Sequence, residues 1–195
     1  MAELDFDRAA EAIRDGDLVV YPTETVYGLG ADALDADAVE RVFAAKSRDR
    51  SKPVSMAVPD VETAAEYTNP TDRERAFMRE FLPGPVTVVL ERRPEIPDVL
   101  TAGRDRVGIR IPAHDGALEL LRHTGPLTAT SANVSGTGSV RDLATLDDRI
   151  RERAAVILDG GTTPGGGSTV VDVAAGEIHR RGSEADAIER WLSDD

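Results

Sequence analysis

Two lysines, Lys46 and Lys52, stand against 21 arginines in this chain, and both fall in one short segment, AAKSRDRSKP. Arginine is a planar fork of donors, whereas lysine is a compact point charge on a slim stem. A site that needs an ammonium against a phosphate would explain lysine here; chance placement is the bland alternative. Arg48 lies between the two. Upstream, residues 21–30 read YPTETVYGLG, with two threonines, a glutamate, two tyrosines and two glycines in no hydrophobic period. A plain surface loop would use Asp, Asn, Ser and Gly in looser order. Hydroxyls this dense at the end of the apolar run Leu18-Val19-Val20 suit a loop that holds a polar ligand. They suit equally a strand-to-helix connection whose hydroxyls cap backbone groups.

Other candidates are weaker singly. Arg110 alternates with Val107, Ile109 and Ile111, and a strand arginine among apolar neighbours has a carboxylate or phosphate partner. An internal salt bridge is the commoner outcome. The glycine-rich loop at 160–168 has the composition of a phosphate cradle, but no Gly-Lys-Ser/Thr follows, so it is not a P-loop. Ser168 closes it before an apolar strand. Gly28-Leu29-Gly30-Ala31-Asp32-Ala33 matches G-x-G-x-x-A, yet six residues, Pro22 to Tyr27, separate it from the strand. Dinucleotide binding is rejected on that spacing, and these glycines read as a turn with close packing. His114, His123 and His179 are scattered without metal-ligand spacing. No Ser-His-acid arrangement is suggested.

At 195 residues the chain suits one domain, or one with a small appendage. Cysteine is absent, which excludes disulfides, thiolate metal sites and cysteine nucleophiles. No apolar run is long enough for a bilayer, and MAELDFDRAA lacks a signal-peptide core; the expected location is the cytoplasm. Net charge is −13, from 36 acidic and 23 basic residues. Such a surface repels nucleic acid unless basic patches or high salt intervene. Acid spread along the chain fits a salty cytoplasm, where screening tolerates self-repulsion.

The elements that must hold these residues follow from periodicity and punctuation. Asp5 can cap a helix over 6–15, with Gly16 as the stop. A buried strand spans 18–21. A helix over 36–47 puts Val39, Val42, Phe43 and Lys46 on one stripe, so Lys46 points inward at its end. A lysine there either snorkels out or faces a ligand cavity. A strand over 53–58 and a helix over 60–67 follow. Thr71 and Glu74 form a capping box for a helix ending near Leu82, before Pro83-Gly84-Pro85. Strands are expected at 86–91 and 107–111, with irregular chain over 92–104 between them. A helix covers 114–123, and a strand over 127–130 leads into SANVSG. A charged helix lies near 143–153 and a strand at 155–158. A hairpin pairs 169–173 with 177–180 across Ala175-Gly176, and Ser183 caps a last helix to Leu192. Helices interleave with strands that neighbour each other in sequence, which predicts an α/β fold with a mixed sheet.

Taken together, the pieces resemble the YrdC-like family, the L-threonylcarbamoyladenylate synthases. The matches are YPTETVYGLGADA, Lys46-x-Arg48 with Lys52-Pro53, PGPVTVVL at 83–90, VGIRIP at 107–112, SANVSG at 131–136 and GGGSTVVD at 165–172. They occur in the family's order from about residue 15 to 182. The resemblance implies a twisted open mixed sheet flanked by helices around a large, positively lined cavity. It implies the short form, with residues 1–195 as a single catalytic domain and no additional C-terminal domain. It also implies formation of threonylcarbamoyl-AMP and pyrophosphate from L-threonine, bicarbonate and ATP, with Mg²⁺ accompanying the ATP. The product would feed the t6A modification at tRNA position 37 through a separate threonylcarbamoyl transferase. Threonine's amine and bicarbonate give a carbamate whose carboxylate attacks the α-phosphorus. Both reactants are anionic, so the site must neutralise charge without supplying a nucleophile; positioning and electrostatics would carry the rate.

Carried over residue by residue, the resemblance assigns Lys46, Arg48, Ser131 and Asn133 to catalysis through the K-x-R and S-x-N signature. Lys46, Arg48, Lys52, Asn133, Arg141 and Arg180 would meet ATP. Thr25, Arg110, Ser131 and Ser168 would hold threonine, with Arg110 on its carboxylate and Thr23 a neighbour. No protein metal ligand is implied. Three positions depart from the family. Ala57 stands where histidine is frequent, Arg181 replaces the proline after Arg180, and Arg141 stands where a small hydroxyl residue is common. Two other readings compete: a non-catalytic double-stranded RNA-binding or ribosome-maturation protein of the same fold, with weak tRNA or dsRNA contact, and a carbamoyl-adenylating module of hydrogenase maturation. The charge of −13 opposes the first, and the additional catalytic domains expected of the second are missing here.

Overall fold

The computed structural model describes residues 4–193. In chain order the elements are α1 (Phe6–Arg14), β1 (Leu18–Tyr21), β2 (Gly28–Gly30), α2 (Ala36–Lys46), β3 (Ser55–Ala57), α3 (Val61–Tyr67), α4 (Asp72–Phe81), β4 (Val86–Glu91), α5 (Asp98–Thr101), β5 (Arg106–Arg110), α6 (Asp115–Thr124), β6 (Leu127–Ser131), α7 (Asp148–Arg153), β7 (Ala154–Ile157), β8 (Thr169–Asp172), β9 (Glu177–Arg180) and α8 (Ala185–Ser193). The strands form one sheet in the order β7-β1-β2-β6-β3-β5-β4-β8-β9. It is mixed: β1–β7, β3–β5 and β4–β8 run parallel, and the other neighbours antiparallel. Among the described residues no helix is long and apolar enough to cross a membrane.

Side chains along a strand alternate between faces, and that alternation divides core from site. On β5, Val107 and Ile109 are buried while Arg106, Gly108 and Arg110 face a cavity. On β4, Val86, Val88 and Leu90 enter the core while Thr87 and Val89 face the cavity. Around β8, Val171 and Val173 pack inward while Ser168, Val170 and Asp172 line the cavity. The inward residues join Met56, Phe77, Met78, Ile96 and Leu100 in one apolar cluster. A second packs α1 and α6 on β1, β6 and β7, and a third packs α2 and α7 on β1 and β2.

Local chemistry fixes the helix starts. The Thr71–Glu74 capping box is formed in both directions, as the T-x-x-E spacing requires. The charged segment near 143–153 divides into a 3-10 turn over Leu143–Thr145 and α7. Asp142 and Asp147 each cap a separate start, and the buried Leu146 sits between them. The irregular stretch before β5 contains the short α5, begun at Pro97 and ended by Ala102 in the left-handed region. The last helix begins at Ala185.

One expectation is overturned. Gly28–Gly30 is not a turn but the strand β2, paired antiparallel to β1 with Tyr21 opposite Gly28 and Val19 opposite Gly30. The close-packing half of that reading holds. A Cβ on Gly28 would lie 2.9 Å from Cζ of Tyr21, and one on Gly30 would lie 3.0 Å from its Cε1. The buried Tyr21 ring fills the space that two side chains would take, so glycine recurs despite its poor strand propensity. We expect Gly28→Ala to destabilise the fold by about 1–3 kcal/mol through overpacking, measured by denaturant unfolding; an unchanged midpoint would contradict this packing.

Candidate active site

A cavity of about 980 Å³ opens over the β5–β4–β8 face, roofed by segments around residues 21–28, 48–55, 131–139 and 166–168. Arg48, Lys52, Arg110 and Arg180 line it, with Thr23, Thr25, Ser131 and Ser168. Residues far apart in sequence thus meet at one hollow. Lys46, Asn133 and Arg141 do not line it.

Lys46 is 2 % exposed and ends α2 behind the wall. It neither snorkels out nor enters the cavity: its Nζ donates to the main-chain oxygens of Ser131 and, at 2.6 Å, Asn133. Ser135 N–H donates back to the Lys46 carbonyl at 2.8 Å. Lysine and the SANVSG loop therefore hold each other. Ser131 Oγ donates to Asn133 Oδ1, and Asn133 Nδ2 donates to Val134 O and Thr137 O at 2.9 and 2.8 Å. Asn133 orders the loop, and Ser131 presents it to the cavity.

The cations at this end are poorly compensated. Arg48 donates to the carbonyls of Lys52 and Pro53 at 3.1 and 2.8 Å. Arg180 donates to Ser168 O and Oγ at 2.9 and 2.7 Å, and that Oγ lies 3.2 Å from Thr87 Oγ1. Carbonyls and hydroxyls orient these groups without cancelling their charge. Burial, then the charge of Arg48, pulls the Lys46 pKa down to about 8. Burial, then Arg180, lowers that of Arg48, and burial, then Arg110, lowers that of Arg180. On a molecule of net charge −13, a cluster of mutually repelling cations around one hollow is arranged to receive an anion.

Arg110 differs. Its Nη2 donates to Glu24 Oε1 at 2.9 Å and to Thr25 Oγ1 at 2.7 Å. Thr25 Oγ1 in turn lies 3.0 Å from that of Thr23, and the Thr25 carbonyl receives Gly165 N–H at 2.7 Å. The threonine-rich loop and the glycine-rich loop are thereby joined beside Arg110. Tyr27 adds a second joint, donating to the Gly161 carbonyl at 2.6 Å.

The three departures from the family pattern resolve differently. Arg180 lines the cavity while Arg181 turns away to Asp186 and Glu189, so the register across His179-Arg180-Arg181 is fixed. Arg141 is exposed outside the lining and donates to Thr163 O at 3.2 Å; it braces the glycine-rich loop. Ala57 is buried and leaves the cavity no side chain at the histidine position.

Sequence reasoning passed over Arg106, which lines the cavity and pairs with Asp172 at 2.9 Å. Starting the strand at Val107 hid it; one residue earlier, the two-residue period from Arg110 through Gly108 reaches it. Tyr21, Thr87 and Glu24 were also missed as members of the site. The partner of Arg110, 86 positions away, has no local signal.

The family model Sua5_yciO_yrdC, described as telomere recombination, matches residues 11–182. The threonylcarbamoyl-AMP synthase of Pyrococcus abyssi is 40% identical over 168 residues, 85% of this chain and 49% of that protein. The threonylcarbamoyl-AMP synthase of Bacillus subtilis is 37% identical over 174 residues, 88% of this chain and 50% of that protein. The crystal structure of P. abyssi Sua5 complexed with L-threonine superposes with a TM-score of 0.87 at 37% identity, covering 94% of this chain and 56% of that one. The chain spans about half the length of these relatives.

Proposed function

The chain belongs to the Sua5/YciO/YrdC family, and on that premise we propose that it forms threonylcarbamoyl-AMP and pyrophosphate from L-threonine, bicarbonate and ATP. The observation that carries this reading is the cavity itself. Arg48, Lys52 and Arg180, cations engaged in no ion pair among the described residues, lie at one hollow with an arginine–threonine corner, Arg110 and Thr25. A triphosphate and an amino-acid carboxylate are the anions those two groupings suit. The cavity draws on residues from Tyr21 to Arg180, which supports a single catalytic domain across them.

In this reading the amine of threonine adds to bicarbonate with loss of water, giving a carbamate. A carbamate oxygen attacks the α-phosphorus, and the bond to the β-phosphate oxygen breaks to release pyrophosphate. Arg48, Lys52 and Arg180 stabilise the charge that builds on the phosphates, and Ser131, held by the Lys46–Asn133 loop, orients the reacting end. Arg110, Thr25 and Ser168 hold threonine. Among the described residues no three His, Asp or Glu side chains converge on a metal position. A wall of hydroxyls and cations suits a Mg²⁺ held mainly by phosphate oxygens and water, where it shares the phosphate charge. The product would pass to a separate transferase for t6A formation in tRNA, and a cytoplasmic location accords with that role.

Pyrophosphate release from ATP is expected to require both L-threonine and bicarbonate, followed by a coupled phosphate assay. Equal release with threonine omitted would contradict the proposal.

A further inference from the structure

Glu24 lies behind the cavity wall, and the reaction described above gives it no task. Its carboxylate and the Arg110 guanidinium are 14% and 15% exposed, and Oε1 and Nη2 meet at 2.9 Å. Thr25 Oγ1 takes the same nitrogen at 2.7 Å. Nε of Arg110 and Oε2 of Glu24 are buried without a partner, so Nη1 is the arginine nitrogen left for the cavity. Burial pushes the Tyr21 phenol up to about 12, with Arg110 and Glu24 both acting on it. That corner therefore holds a neutral hydroxyl and a compensated guanidinium. Arg48 and Arg180 are in no such ion pair: their donors go to carbonyl and hydroxyl oxygens, and Asp49 acts on Arg48 only at a distance.

The proposed substrates differ in the same way. An amino-acid carboxylate carries one negative charge and a triphosphate several. A bare, desolvated guanidinium attracts the more highly charged anion more strongly. We propose that Glu24 is a positioning and specificity-determining residue that aims Arg110 and offsets its charge, so that this corner takes a carboxylate and leaves the polyphosphate to Arg48, Lys52 and Arg180. Glu24 does not touch substrate in this account; it acts through Arg110.

The inference rests on the synthase reading and is tested in the Glu24→Gln variant, which keeps the shape and one acceptor oxygen but removes the charge. The threonine KM should rise about tenfold, the scale of one charge-assisted hydrogen bond, with the ATP KM within about threefold. Inorganic pyrophosphate should gain a threonine-competitive component of inhibition that the wild type lacks. Glu24→Asp keeps the charge on a shorter stem, so it should raise the threonine KM without admitting pyrophosphate; it also serves if Glu24→Gln fails to fold. A wild-type threonine KM in Glu24→Gln, a lower one, or unchanged pyrophosphate inhibition would overturn the inference while the synthase reading stood. Turnover by the wild type that ignores threonine would remove both.

Discussion

Lys46→Met is expected to lower kcat/KM for adenylate formation by about 10²-fold, the scale of an ångström misplacement of reacting groups by a change away from the chemistry. Methionine nearly fills the volume, so the change isolates the ammonium. That ammonium donates to the carbonyls of Ser131 and Asn133, and without it the SANVSG loop loses its tie to α2. Two buried carbonyls then lack a donor, at about 1–3 kcal/mol each, partly offset because a desolvated charge with no carboxylate beside it is also gone. Circular dichroism should therefore show a folded protein with little activity. The pH dependence separates charge from packing. With the folded pKa lowered to about 8 from 10.5, the unfolded chain binds the extra proton between these values. Stability from this group thus rises with pH across that window and is lowest below it. Activity runs oppositely: the charged form is needed, so the free enzyme's kcat/KM falls as pH climbs through about 8. Lys46→Met should lose that alkaline limb. Wild-type kcat/KM in the variant would remove Lys46 from the account.

Arg110→Lys is expected to raise the threonine requirement by about 10–100-fold, because a point charge replaces an oriented fork. The ATP requirement should move by less than about threefold, since the polyphosphate has other cations to meet. Arg110→Ala goes further. It leaves Glu24 as a buried carboxylate without its partner, and removing one member of such a pair costs up to about 3–5 kcal/mol. Its kinetics must be read beside a denaturation curve, which is why lysine is the cleaner variant. Initial rates with either substrate varied give both constants. A larger rise for ATP than for threonine would show that Arg110 serves the nucleotide instead.

The mixed sheet, the longer helices and the inward or polar character of Lys46, Arg110 and the 21–30 loop were legible from local rules, while Ser131 and Arg180 came from the family resemblance. The stripe through Val39, Val42, Phe43 and Lys46 sent Lys46 inward, and the Thr71–Glu74 spacing began α4 where it begins. The remainder depends on chain segments distant in sequence. Gly28 and Gly30 have no strand propensity, and only the Tyr21 ring across the hairpin explains a strand there. Lys46 admitted two readings because its acceptors are carbonyls 85 and 87 positions away. Glu24 looked like one polar residue in a polar loop until β5 brought Arg110 against it. The charged segment near 143–153 read as one continuous helix, which merged the two starts that Asp142 and Asp147 cap.

The measurement that bears most directly on the central claim is mass analysis of the product formed from ATP, L-threonine and ¹³C-bicarbonate. The expected result is threonylcarbamoyl-AMP carrying the ¹³C label, formed only when all three substrates are present and accompanied by an equal amount of pyrophosphate. Nucleotide cleavage that proceeds without threonine, or a product free of the label, would contradict it.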